Sequence, residues 1–434
     1  MRYLSVTLLL ILSTAGWLTA QPASSLKLSL PEAEALALKN HPQVLAAQNE
    51  TAAMEQRVVQ AKAAYYPVLD GDVTGSQGNP GARIGAGFLT DSRLFDRFGD
   101  GLTLSQLISD FGRTPNLVAS SRLQASAAQL TYQATRYDVL LGVNQAYFET
   151  LRSQAIVKVA QETVAARQLL ADQVTALFNN KLRSELDVSF MEVNVSQAKL
   201  LLLQAQDQVQ RAFAELTRTL GSQQATTYEL ADEPLPPSPP LDAENLVSQA
   251  IANRPELAAL QMSRDAAGRF ERAEKDLSYP TASLVGVGGY MPYIDQITLP
   301  RVIPSEYEGI AVNVQIPIFN GGLFKARREE AHFRALEADQ RLRNEAEAIA
   351  RDVRSVWAGV SVAYQRLDVT AQLLRQASLA LQLAQGRYDL GLSSIVELTQ
   401  AQLNLTTAEI ENLNAKYDYQ SQYASLQYTL GALR

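Results

Sequence analysis

Proline divides this 434-residue chain into two kinds of segment. All seventeen prolines lie between Pro22 and Pro317; none falls between Pro115 and Pro234, and none follows Pro317. A proline inside a helix removes a hydrogen bond and clashes with the preceding turn. Two stretches of more than a hundred residues are therefore free of the strongest helix breaker. Both are rich in Ala, Leu, Gln, Glu and Arg, which cost little in a helix. The chain reads as mainly α, with a few different pieces inserted.

The pieces recur. Asn40-His41-Pro42 returns as Asn253-Arg254-Pro255, and Tyr66-Pro67 as Tyr279-Pro280, both at an offset of 213. Four later landmarks share an offset of 210: Tyr147 with Trp357, Asp187 with Glu397, Asn194 with Asn404, and Thr219-Leu220-Gly221 with Thr429-Leu430-Gly431. Landmarks in one order at nearly one offset mark an internal duplication. The expected organisation is a first repeat over 21–221, a Pro-rich linker over 222–241 and a second repeat over 242–434. The run Pro234-Leu235-Pro236-Pro237-Ser238-Pro239-Pro240 should make the linker extended and stiff.

Each repeat has the same order of elements. A short helix starts near Ser29 or Asp242 and is interrupted at Pro42 or Pro255. A second helical run reaches Ala64 or Leu277, and two strands follow. A very long helix, 114–178 or 323–389, then turns at a tip, 179–184 or 390–394. A last helix runs to Gly221 or Gly431, where glycine is a stop signal. The strands are expected at 65–75, 99–109, 278–290 and 306–318. In the last, Val312, Val314, Ile316 and Ile318 alternate with Asn313 and Gln315, a period of two with one apolar face. In the first, Asp70, Asp72 and Thr74 share one face, and Leu69 and Val73 the other. Tyr65, Tyr66, Phe111, Tyr279 and Phe319 collect at one end of the strands, and Phe88, Tyr290, Tyr293 and Tyr307 near the other. Two interfacial aromatic belts explain this; ordinary aromatic core packing is the alternative.

The start, Met1-Arg2-Tyr3 followed by the apolar run Leu4–Leu12 and small residues, reads as a signal peptide over 1–20, with cleavage after Ala20. No later run approaches a membrane-spanning helix, so an exported chain of this kind enters a membrane as β-structure. The net charge of −7 and the lack of a basic patch argue against nucleic acid. Without cysteine, disulfides and a cysteine-linked lipid are excluded, so the chain is expected not to be lipidated. His41 and His332 alone are poor material for a metal site or a triad, and Gly286, Gly288 and Gly289 lie in a strand rather than before a helix. No cofactor and no enzyme activity are expected.

Four strands of about ten residues can cross a membrane but cannot close a barrel, and open edges are not tolerated in lipid. Several copies must share one barrel. A helix of about 65 residues is roughly 100 Å long and needs coiled-coil partners. A shared barrel continued by long helices is a conduit. The residues that carry a family resemblance are the duplicated Asn-x-Pro and Tyr-Pro positions, Gln315 to Gly322 (QIPIFNGG) opening a long helix, Tyr388 to Glu397 (YDLGLSSIVE) turning one, and Thr-Leu-Gly closing each repeat. In that order the chain resembles the TolC-like outer-membrane efflux proteins over essentially its whole length. The resemblance implies a homotrimer with a twelve-stranded β-barrel in outer-membrane lipid and a coiled-coil α-barrel in the periplasm. It also implies a periplasmic adaptor and an inner-membrane RND, ABC or MFS pump as partners. The implied role is the outer duct of a tripartite efflux pump that exports small molecules. The outer component of type I protein secretion shares this frame, and a structural periplasmic coiled coil is the reading from another class. Residues 76–98 and 291–305 would then face the cell exterior.

The candidate sites lie at the tips. Asn180, Lys181, Leu182, Arg183 and Ser184 form one, and Leu390, Gly391, Leu392, Ser393 and Ser394 the other. Leucines beside a turn suggest docking of the adaptor. Gly391 has Lys181 as its counterpart, so Asn179 or Asn180 is expected to supply the left-handed residue of the first turn. The resemblance assigns a latch to Asp187 and Tyr388, which as a phenol–carboxylate hydrogen bond would hold the tip closed, and a pore-lining acidic ring to Glu397. A second acidic position of that ring is Gln400 here. For Asp187 and Glu397, the plain alternative is a carboxylate in the first turn of a helix, favoured by the helix dipole.

Overall fold

The structure, a computed structural model, describes residues 26–77, 97–222, 228–294 and 305–433. The expected signal peptide, Phe88 and most of 76–98 and 291–305 lie outside the described residues. The first half runs β1 (Leu26–Leu28), α1 (Leu30–Asn40), α2 (Pro42–Ala63), β2 (Val68–Ser76), β3 (Arg97–Ser109), α3 (Arg113–Asn179) and α4 (Glu185–Thr219). The second runs β4 (Tyr228–Leu230), α5 (Ala243–Asn253), α6 (Pro255–Asp276), β5 (Thr281–Ile294), β6 (Glu306–Gln315), α7 (Leu323–Asp389) and α8 (Ile395–Thr429). The duplication is visible in the lengths: α3 and α7 each have 67 residues, and α4 and α8 each have 35.

The repeated motifs explain one another. A residue before proline is pushed out of the helical region. His41 and Arg254 accordingly adopt extended backbone and separate α1 from α2 and α5 from α6. The glycine that ends each repeat presses on that break. Gly221 has φ +68°, and a Cβ there would lie 2.8 Å from the Asn40 carbonyl. Gly431 has φ +65°, and a Cβ would lie 2.9 Å from the Asn253 oxygen. Only glycine satisfies both the left-handed turn and the approach. Thr-Leu-Gly and Asn-x-Pro, far apart in sequence, are therefore two halves of one contact.

The long helices are sewn by alanine. Ala198, Ala205 and Ala212 on α4, Ala401, Ala408 and Ala415 on α8, and Ala259, Ala266 and Ala273 on α6 are buried. Each set repeats every seven residues, the period that imposes a left-handed supercoil. Small side chains let the backbones approach, and Ser120 Oγ on α3 donates to the Ala266 carbonyl at 2.9 Å. Toward the tips the packing order is α4–α3–α8–α7; toward the strands it is α2–α3–α6–α7. At mid-length the short elements gather around Tyr147 and Ile349, both fully buried. There β1 and β4 pair in parallel, a contact the sequence did not suggest.

Residues 231–240 carry no helix or strand and lie against the long helices. The Tyr147 hydroxyl donates to the Ala231 carbonyl at 2.7 Å, Gln420 Nε2 to Glu233 at 2.8 Å, and Trp357 Nε1 to Pro240 at 2.8 Å. The Tyr419 hydroxyl donates to the Pro237 carbonyl, and Lys416 pairs with Asp232 at 2.6 Å. Tyr147 and Trp357, which are counterparts in the duplication, thus both hold this strap.

The four longer strands form one antiparallel sheet in the order β2-β3-β5-β6. Its register separates two faces. Asp70, Thr103 and Val287 form one cross-strand row, and Val68, Ser105, Val285 and Ala311 another; with Asp72, Ser283, Asn313 and Gln315 this face is largely polar. Leu69, Leu104, Gly286 and Ile310 lie on the other face with Val73, Leu102, Leu284, Val312 and Val314; this face is apolar through its middle, with Asp100, Glu306 and Glu308 toward its far end and Gln106 toward its helix-proximal end. Every residue of β2 and β6 is exposed, so the sheet has no core of its own. Across the polar face Tyr307 lies over Gly289 and Gly101, where an added Cβ would collide with its hydroxyl.

The strand limits differ from expectation for a stated reason. Tyr65 and Tyr66 spend their N–H groups on the carbonyls of Lys62 and Ala63 at 2.9 and 3.0 Å, so β2 starts at Val68, after Pro67. Ser278 and Tyr279 do the same toward Lys275 and Asp276, and β5 starts after Pro280. At the other end β6 stops at Gln315, shortly before Pro317, which has no N–H to give. Tyr65, Tyr66, Phe111, Tyr279 and Phe319 are exposed near the helix-proximal ends of the strands, and Phe98, Tyr290 and Tyr307 near the far ends. Among the described residues no helix is long and apolar enough to cross a membrane.

Candidate functional site at the helical tips

Both tips are built by the same turn. At the first, Lys181 N donates to the Phe178 carbonyl at 2.8 Å and Leu182 N to Leu177 at 2.9 Å. At the second, Gly391 N donates to Tyr388 at 2.9 Å and Leu392 N to Arg387 at 2.8 Å. These nested bonds are a Schellman ending, which needs a left-handed residue. Gly391 has φ +71° and Lys181 φ +63°. This corrects the expectation: neither Asn179 nor Asn180 takes the left-handed place. Asn180 caps α3, its side-chain amide donating to the Ala176 carbonyl at 2.8 Å, and the lysine itself carries the strain.

The next helix starts differently at each tip. Ser184 and Asp187 form a capping box: Asp187 N donates to Ser184 Oγ at 3.2 Å, and Asp187 Oδ2 accepts from Ser184 N and Oγ at 3.2 and 2.9 Å. Ser394 also accepts from Glu397 N, at 3.4 Å. The Glu397 carboxylate, however, turns away to Arg387 Nε at 3.2 Å. Arg387 further donates to the Leu392 carbonyl at 3.5 Å. Gln400 is bound to Asn404 at 2.9 Å.

The hairpins meet at Tyr388. This side chain is only 6% exposed and belongs to a core of Leu170, Val174, Met191, Ile395 and Leu398 drawn from both hairpins. Its counterpart Phe178 is 37% exposed. The guanidinium of Arg183 sits 4.6 Å from the centre of the Tyr388 ring. The Tyr388 hydroxyl is buried and has no hydrogen-bond partner among the described residues. The expected Asp187–Tyr388 hydrogen bond is thus not formed, because Asp187 is spent on its own helix start. Burial pushes the Tyr388 phenol up; Arg183 opposes this, and Asp187 and Asp389 add to it. Sequence reasoning placed Arg183 in the docking turn of the first tip and missed this stacking. The available signal was the 210-residue offset, which aligns Arg183 with Ser393 and Phe178 with Tyr388.

Leu182 and Leu392 project from the turns at 69% and 67% exposure, with Leu390 beside them. The Ser393 hydroxyl is buried without a partner among the described residues. Among the described residues no group of three His, Cys, Asp or Glu is placed to hold a metal ion.

A protein-family model described as "Outer membrane efflux protein" matches the chain twice, over residues 35–222 and 246–432, so that each match contains one tip. The chain is similar to Outer membrane protein TolC of Salmonella enteritidis, 22% identical over 76% of this chain and 68% of that one. It is also similar to Outer membrane efflux protein BepC of Brucella suis, 24% identical over 94% and 86%. The solved structure of the outer membrane protein VceC from Vibrio cholerae shares the fold, with a TM-score of 0.79 at 20% identity over 93% and 96% of the two chains. With both repeats matched, the chain belongs to the outer membrane efflux protein family, and its place is the outer membrane.

Proposed function

We propose that three copies of this chain form the duct of a tripartite efflux pump, carrying small molecules across the periplasm and the outer membrane. The observation that carries this reading is that one chain is an open wall. Strands β2 and β6 leave the sheet with two unpaired edges, and each unpaired backbone group in lipid costs several kcal/mol. The helical layer is open in the same way. On α4, Leu186, Val193 and Leu200 are exposed at seven-residue spacing; on α7, Val362 and Val369 are exposed at the same spacing, with Leu383 two heptads further on. These rows are the unfilled halves of coiled-coil seams. Joining the α4 flank of one copy to the α7 flank of the next satisfies both, and the same rotation pairs β2 with β6.

Closure puts the apolar sheet face toward lipid and the polar face, with Asp70, Asp72, Asn313 and Gln315, toward the lumen. The tips then form the periplasmic entrance. Leu182, Leu390 and Leu392, with the turn residues Asn180, Lys181, Arg183, Ser184, Gly391, Ser393 and Ser394, are the docking surface for a periplasmic adaptor, which links the duct to an inner-membrane pump. The contacts around Tyr388, where the two hairpins meet, hold the entrance closed at rest. Three copies of Glu397 near the constriction favour cations. The test is mass measurement in detergent together with substrate sensitivity of a deletion strain. A trimer and increased sensitivity are expected; a stable folded monomer would refute the reading.

A further inference from the structure

The two hairpins of one chain touch near their tips through a contact that uses neither of the tip carboxylates. Arg183, from the first turn, lies 4.6 Å from the centre of the Tyr388 ring at the end of α7. Among the described residues no ion pair holds Arg183; the neighbouring carboxylates have other work. Asp187 Oδ2 is taken by Ser184, and Glu397 by Arg387. Among the described residues the Tyr388 hydroxyl has no partner, so the residue contributes its face and not its oxygen. The ring is backed by Val174, Met191, Ile395 and Leu398, which exclude water from one side and fix its orientation. A guanidinium over such a face is attracted by the ring quadrupole, and the attraction strengthens as the pair is desolvated. The arrangement is one-sided. The counterpart of Arg183 is Ser393 and that of Tyr388 is Phe178, so the second tip has no cation at the equivalent place, and its Arg387 is engaged by Glu397.

We infer that the resting tip is clamped by the Arg183 guanidinium seated on the Tyr388 ring, and that Arg183 rather than Asp187 is the residue whose release frees the second hairpin. This rests on the reading of the tip as the closed entrance. A clamp of this kind depends on a positive charge and an aromatic face, and not on the phenolic hydroxyl.

The test is the resting conductance of the purified oligomer in planar bilayers, with its unfolding midpoint measured in parallel. Arg183→Gln should raise conductance several-fold, because Arg183 is at the tip surface and its loss leaves the core intact. Arg183→Lys should restore part of the closure. Tyr388→Phe should stay closed, since phenylalanine keeps the ring face, whereas Tyr388→Leu should open. Asp187→Ala should lower the unfolding midpoint and leave conductance unchanged. Opening by Tyr388→Phe with Arg183→Gln still closed would overturn the clamp in favour of a hydroxyl latch, while keeping the tip as the entrance. Unchanged conductance in all variants, each still a folded oligomer, would remove both the clamp and the closed-tip reading.

Discussion

The two tips have one backbone and two chemistries. Each turns through the same pair of nested hydrogen bonds, and each next helix starts at a serine. The first tip places Lys181 where the second has Gly391, and spends Asp187 on a cap where the second spends Glu397 on Arg387. The first hairpin exposes Phe178 where the second buries Tyr388. Duplication preserved what the main chain needs and left the side chains free to diverge. As a result, one hairpin supplies a grip and the other a surface to be gripped.

The largest expected effect contrasts inside with outside at the tips. Leu398 is fully buried between the hairpins, and Leu398→Ala should cost about 3 kcal/mol in denaturant unfolding, within the usual range for a core leucine. Leu182→Ala should change stability by less than about 0.5 kcal/mol and instead weaken binding of an adaptor. Equal losses at both sites would end the distinction between core and docking surface.

Exchanging the turn residues comes next. Gly391→Ala should destabilise by about 1 kcal/mol, the cost of forcing a side chain into the left-handed region. Lys181→Gly should stabilise by something under about 1 kcal/mol, because relief of strain is partly offset by a more flexible unfolded chain. If Lys181→Gly destabilises, the lysine side chain makes a contact that outweighs its strain.

The helix starts give a smaller contrast. Asp187→Ala should cost about 1 kcal/mol, as for a lost capping partner. Glu397→Ala removes only an exposed ion pair and should cost less than about 0.5 kcal/mol. Thermal unfolding of the two variants in one detergent orders them; the reverse order would mean that Glu397 is held by more than Arg387.

The smallest effect tests the seam between the repeats. Glu409 on α8 lines a cavity of about 150 Å³ with Glu162 and Arg167 of α3. Burial raises the Glu409 pKa, and Glu162 raises it further. A carboxyl raised on folding supports the fold while protonated, and that support is lost as pH rises through the folded pKa. Glu409→Gln should therefore raise the unfolding temperature slightly at pH 7 and leave it unchanged at about pH 4. A drop at pH 7 would mean that the charge is used, with Arg167 as the nearest candidate.

Much of the frame was legible because it rests on backbone chemistry that sequence reports directly. The two proline-free runs hold nearly all of α3 with α4, and α7 with α8, and Gly221, Gly391 and Gly431 marked left-handed endings. What was not legible depends on partners distant in sequence. β1 and β4 are three residues each, too short for any period to declare them, and they exist only because the strap returns beside the start of the chain. The choice made by Asp187 was decided by reach: Ser184 is three residues away, while Tyr388 must be brought from the other repeat. Lys181 in the left-handed place defeated a rule about residue type, because the turn is imposed by the helices on either side. The amphipathic sheet was readable in β2 and β6, where alternation is clean. It was faint in β5, where Gly286, Gly288 and Gly289 dilute the pattern and Tyr307 covers one of the gaps.

The strap also gives the molecule an optical reporter. The sequence has two tryptophans, Trp17 and Trp357. Trp17 falls within the expected signal peptide, and a chain cleaved after Ala20 would keep Trp357 of the two. Its indole N–H is bound to the Pro240 carbonyl at 2.8 Å, where the strap meets the middle of α7. Indole emission shifts when that bond is exchanged for water, so fluorescence of the unlabelled protein follows whether the strap is seated. Binding of a partner at the tips, half a helix away, can then be asked whether it loosens the waist of the duct, with no dye and no added cysteine.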